Sequence, residues 1–114
     1  YENPRTGLRT HILQFTDGPW EERRTRLELM SRPDITALAE RTGLGWAHVS
    51  FCLPGREDVD RLTADMAEAG VRIIDGPRET GDGYYEAAIL DPEGNRIELL
   101  AADYSDDVAL RPSH

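Results

Sequence analysis

Cysteine is nearly absent: Cys52 is the only one in 114 residues. A single thiol excludes an internal disulfide and every zinc motif built from several cysteines, which fits a reducing compartment and a cytoplasmic protein. Positive charge is also scarce. Thirteen Lys and Arg stand against 22 Asp and Glu, giving a net charge of -9 and a pI near 4.7. Binding nucleic acid or an anionic membrane requires clustered cations, so neither is an expected partner. Small molecules or other proteins remain. No apolar run comes near the roughly 18–20 residues of a membrane span. The chain opens on Tyr1 without a methionine, so its lack of a signal peptide excludes no targeting.

At this length one core is expected, hence a single domain over 1–114. Its strongest helix signal runs from Arg56 to Ala69, where Val59, Leu62, Met66 and Ala69 recur at helical spacing. Glu57, Asp58 and Asp60 suit its first turn, and Gly70 its end. Before it, "WAHVSFCL" alternates Ala47, Val49 and Phe51 with His48, Ser50 and Cys52, the pattern of a strand with two distinct faces. After it, "VRII", "YYEAAIL" and "RIELL" read as strands separated by "DGPRETGDG" and "DPEGN", which carry turn residues. Residues 46–101 thus spell strand, helix, strand, strand, strand. Upstream, "LRTHILQF" and "TRLELM" read as strands. Residues 32–45 form a connector with a short helical turn around Ala37 to Arg41, and residues 102–114 form a tail.

An internal echo links the two halves. "TRLELM" (25–30) and "NRIELL" (95–100) share one pattern, and "ILQFTDG" matches "AILDPEG" as an apolar strand running into an acidic glycine turn. Glu28 and Glu98 hold equivalent places 70 residues apart. In the later unit a His-bearing strand precedes Glu98, with His48 lying 50 residues ahead of it. The earlier unit, if built alike, has its opening strand and helix ahead of Tyr1, so the first module is expected to be truncated, with residues 1–31 as its remainder.

"GWAHVSF", the helix, "GDGYYEAAILDPEGNRIELL" and "TRLELMSRPDI" together resemble the vicinal oxygen chelate superfamily, which includes glyoxalase I, bleomycin-resistance proteins and extradiol dioxygenases. The resemblance covers about Leu8 to Ala101. It implies an α+β fold of paired βαβββ modules whose sheets curl into a cleft that holds one divalent metal ion. Carried over position by position, it implies His48, Glu98 and Glu28 as metal ligands. The first module's opening-strand ligand has no matching position here.

Alternation is consistent with those ligands, since His48, Glu28 and Glu98 each avoid the aliphatic side of their strand. One imidazole with two carboxylates suits zinc, nickel, manganese, iron or cobalt and is poor for copper(I). The plainer reading stays open: Arg26 and Arg96 lie two residues before Glu28 and Glu98 on the same strand face, and each pair would serve as a surface ion pair worth about 0–1 kcal/mol. His11 and His114 lack matching positions and read as surface or rim residues. Tyr84 and Tyr85 point to opposite strand faces, so one is expected in the cleft and the other outside it. Arg72, Arg26 and Arg96 are rim candidates for a substrate carboxylate or phosphate, or simply exposed strand charge. Cys52 is expected in the core rather than as a nucleophile.

The expected activity is that of a metal-dependent, glyoxalase-type lyase or isomerase on a small oxygenated molecule. There the cation stabilises an enediolate and a carboxylate, Glu98 or Glu28, carries the proton. The alternatives are a drug-sequestering protein like those of bleomycin resistance, which acidic charge would suit for a cationic ligand, and an extradiol-type dioxygenase. A homodimer is expected, because open strand edges call for a partner.

Overall fold

Among the described residues six strands and one helix make up the regular structure. The computed structural model describes residues 1–14, 26–38, 40 and 43–102. The chain divides into two units, Tyr1–Ala39 and Glu40–His114.

In the first unit, strand β1 (Arg9–Gln14) pairs antiparallel with β2 (Arg26–Ser31), with Ile12 opposite Glu28 and Leu13 opposite Leu27. Ahead of β1 the chain turns back on itself, as the Gly7 N–H donates to the Asn3 carbonyl at 2.9 Å. Gly7 has φ 70, and a side-chain carbon there would stand 2.8 Å from Pro33 Cγ. Both the backbone and the space around it therefore demand glycine. Ile12, Leu13, Leu29 and Met30 remain exposed on this hairpin.

The second unit runs β3 (Val49–Leu53), α1 (Arg56–Glu68), β4 (Ile73–Glu79), β5 (Tyr85–Leu90) and β6 (Arg96–Ala101). Its sheet has the order β3-β6-β5-β4, with β3 parallel to β6 and the other pairs antiparallel. The parallel pair needs a crossover, and α1 lies within it. Glu57 and Asp58 sit in the first turn of α1, where the helix dipole favours acids. Gly70, at φ 89, follows its last turn, and the Val71 N–H donates to the Met66 carbonyl at 2.9 Å.

One face of the sheet packs against α1. Val59, Ala87, Leu99 and Ala101 form the buried core, joined by Leu53, Leu62, Met66 and Tyr85. Burying a side chain such as Val59 or Leu99 contributes about 1.5–3 kcal/mol. The residues between these on each strand must face the other way. His48, Ser50, Glu86, Ala88, Arg96 and Glu98 therefore belong to the face away from the helix.

The repeat seen in the sequence is a repeat of pairing register. Glu28 is the third residue of β2 and lies opposite Ile12; Glu98 is the third residue of β6 and lies opposite Ala88. Ile12 and Ala88 are the residues that the match of "ILQFTDG" to "AILDPEG" places together.

Other boundaries differ from the sequence reading. β4 begins at Ile73 and runs on through Asp75–Glu79, residues expected to be turn. Its register against β5 shifts between Ile73 and Asp75 and again between Asp75 and Arg78, and β4 is an edge strand, where a bulge can admit Pro77. Gly76 has φ 72 and lies so near β5 that a side-chain carbon would stand 2.5 Å from the Glu86 carbonyl oxygen. Ala37, Leu38 and Glu40, the described residues of the expected helical turn, are not helical. Leu38 is exposed, so that turn would have no apolar face to dock, and so short a helix does not stand alone. Residues 103–114 of the expected tail lie outside the described residues. Among the described residues no helix is long and apolar enough to cross a membrane.

Candidate functional site

Parallel pairing of β3 with β6 sets Ser50 directly opposite Glu98. His48, two residues before Ser50 and just ahead of the strand, shares that face. The result is a cluster around one carboxylate. Glu98 Oε2 lies 3.1 Å from His48 Nε2 and 3.1 Å from Ser50 Oγ, while Oε1 lies 3.3 Å from Arg96 Nη2. The Glu98 side chain is only 12% exposed, against 36% for His48 and 41% for Arg96. A carboxylate so enclosed needs donors, and here both oxygens have them. Of the two ion pairs considered from sequence, Arg96 with Glu98 forms. Arg26 and Glu28 form none among the described residues.

The 3.1 Å between His48 Nε2 and Glu98 Oε2 is an ion-pair distance, and an imidazole nitrogen and a carboxylate oxygen are donor types that a divalent cation accepts. A borderline nitrogen beside a hard oxygen suits zinc, nickel, manganese, iron or cobalt. Glu28 is an exposed residue of the first unit. Among the described residues no three His, Cys, Asp or Glu side chains gather into a metal-holding group.

Glu86 is a neighbour that sequence reasoning missed. Its partners in the sheet are Leu100 on β6 and Arg78 on β4, which places it diagonal to Glu98, across Ala88. Burial pushes its carboxyl above the usual carboxylate range, the charges of Glu98 and Asp82 push it further, and Arg96 and Arg78 oppose them. The signal was present in "YYEAAIL", where Glu86 alternates with Tyr85 and Ala87 just as Glu98 alternates with Ile97 and Leu99. Ser50 was also passed over. Its hydroxyl matters only through the β3–β6 register, which joins residues 48 positions apart.

Of the two tyrosines, Tyr85 is the one on the helix side. Its hydroxyl donates to Asp60 of α1, and Arg56 stacks over its ring at 5.0 Å to the centroid. The bond to Asp60 is the main cause holding the phenol above its ordinary pKa, with burial and the Asp60 charge adding to it and Arg56 opposing. Of the pair expected to split between cleft and exterior, Tyr85 is thus the one that packs on the helix side, away from the face of His48 and Glu98. Tyr84 stands just before β5, and Arg72, exposed, just before β4. Cys52 is corrected too: it is exposed rather than in the core, since it alternates with Phe51 and Leu53 on an edge strand. His11 is exposed on β1, opposite Leu29, and His114 lies outside the described residues.

The family model of the Glyoxalase/Bleomycin resistance protein/Dioxygenase superfamily matches residues 10–99. Catechol-2,3-dioxygenase of Bacillus subtilis is 32% identical over 79 residues, which make up 69% of this chain and 27% of that protein. The chain thus spans about a quarter of the length of this curated relative. The solved structure of the trypanothione-dependent glyoxalase I of Leishmania major is 28% identical with a TM-score of 0.56, covering 89% of this chain and 64% of that one. A glyoxylase/bleomycin resistance protein/dioxygenase domain from Frankia sp. EAN1pec, 21% identical, has a TM-score of 0.60 with 75% and 63% covered, a likeness of fold alone.

Proposed function

Because the chain belongs to the Glyoxalase/Bleomycin resistance protein/Dioxygenase superfamily, whose model matches residues 10–99, we propose that it is a metal-dependent enzyme of glyoxalase type. It would carry out lyase or isomerase chemistry on a small oxygenated molecule. The observation that carries this reading is the 3.1 Å approach of His48 Nε2 to Glu98 Oε2 from neighbouring parallel strands. His48 and Glu98 would hold one divalent ion. Glu28 joins them as a third ligand on the equivalence of the two hairpins alone. Bound there, the ion supplies an electrophile for two adjacent substrate oxygens.

The remaining work falls to side chains. Glu98 is held through both oxygens by Ser50 and Arg96, so its geometry is set before substrate arrives. Glu98 and Glu28 are the two carboxylates proposed to take and return the substrate's carbon-bound proton. Arg96, Arg72 and Tyr84 are proposed to bind the substrate's polar ends. Support for a catalytic rather than a sequestering role comes from the relatives, which include a glyoxalase I and a dioxygenase.

A second reading is favoured by the 32% identity to a catechol-2,3-dioxygenase. In it the same His48 and Glu98 serve a dioxygenase acting on a catechol. Parallel assays separate the classes: hemithioacetal isomerisation after loading with zinc or nickel, and dioxygen uptake with catechol after loading with iron(II). Isomerisation without dioxygen uptake supports the first reading, and the reverse supports the second. Binding of a basic glycopeptide drug with no metal dependence would reject both in favour of sequestration.

A further inference from the structure

The two oxygens of Glu98 are not equivalent. Oε1 faces Arg96, whereas Oε2 faces both His48 and Ser50, each at 3.1 Å. A carboxylate oxygen brings no hydrogen, so the Ser50 hydroxyl must be the donor. Its position is set by the backbone: Ser50 is the residue paired with Glu98 across the β3–β6 ladder, and its hydroxyl stands on a single torsion. Arg96 reaches its oxygen from the same strand on a long, flexible stem.

This arrangement settles a competition. A guanidinium two residues away on the same face is suited to grip both oxygens of a carboxylate at once. That grip would draw Oε2 away from His48. Ser50 holds Oε2 and leaves Arg96 only Oε1. We propose that Ser50 is a positioning residue: its hydroxyl presents Oε2 of Glu98 beside His48 Nε2 for the cation and never touches the cation itself. The proposal rests on the reading of His48 and Glu98 as metal ligands.

The test is a titration of the full chain with cobalt(II) alone, followed by calorimetry and by visible absorption, with the thermal midpoint of each protein measured alongside. Ser50→Ala should weaken cobalt binding about 10- to 100-fold, as loss of an outer hydrogen bond to a ligand does, with little change in midpoint. Ser50→Thr, which restores the hydroxyl, should bring affinity back to within a few-fold of the native chain. Adding Arg96→Gln to Ser50→Ala should recover part of the loss, because the competing grip is gone. Unchanged affinity in Ser50→Ala overturns the proposal, as does an equal loss in Ser50→Thr. A native chain that binds no cobalt instead overturns the metal reading and takes this inference with it, while a Ser50→Ala result at native strength removes only the inference.

Discussion

His48 Nε2 and Glu98 Oε2 approach to 3.1 Å although 50 residues separate them in the chain. The contact exists because the chain, after passing through α1, β4 and β5, returns as β6 parallel to β3, and because each of the two residues is on the face its aliphatic neighbours leave free. Glu98 and Leu99 are adjacent in sequence and opposite in duty.

That opposition gives the first prediction. Leu99→Ala removes a side chain 3% exposed in the core under α1 and should cost about 2–5 kcal/mol in chemical unfolding. Glu98→Gln, one residue away, should change stability far less in chelated protein while abolishing cation binding. Equal destabilisation by the two would mean that the faces are assigned wrongly.

The tyrosines supply a second. Tyr85 is committed to Asp60 and Arg56 on the helix side, so Tyr85→Phe should leave turnover within about two-fold of native and lower the thermal midpoint. A loss of turnover in Tyr85→Phe at unchanged midpoint would contradict the placement.

Glu86 supplies a pH dependence. Its folded carboxyl titrates above its ordinary value of 4.5, chiefly because burial penalises the charge. The folded state therefore holds this proton more tightly than the unfolded state, and stability falls as pH rises from about 4.5 through the raised value. Below that window both states are protonated and nothing is lost. Glu86→Gln should consequently unfold at a higher temperature than native near neutral pH, with the gap closing by about pH 4, in melts run with chelator. Parallel profiles across that range would show that Glu86 carries no such cost.

Self-association supplies the fourth. A two-stranded sheet is marginal by itself, and β1–β2 exposes Ile12, Leu13, Leu29 and Met30. The chain should sediment as a homodimer at micromolar concentration, and Ile12→Glu with Met30→Glu should shift it to monomer. A native monomer at that concentration refutes the prediction.

Much of the candidate site was legible in local pattern, and what was hidden depended on partners far along the chain. The alternation in "RIELL" was enough to put Glu98 opposite Leu99, and helical spacing was enough to place Val59, Leu62 and Met66 against the core. Which tyrosine faces the helix depended on Asp60, 25 residues away, and the value of Ser50 depended on a parallel register that joins it to a residue 48 positions on. β4 was hidden for a different reason. "DGPRE" carries turn residues, yet an edge strand with a bulge holds them in the sheet, because pairing with β5 outweighs local preference. Cys52 followed its strand's alternation correctly, but small size alone did not bury it on an edge strand.

The central claim is that His48 and Glu98 hold a divalent cation. Its most direct test is the metal content of the purified chain, after saturation with zinc and gel filtration, beside that of Glu28→Gln with Glu98→Gln. The account predicts about one ion per chain in the native protein and essentially none in the double variant. Equal metal content in the two would contradict it.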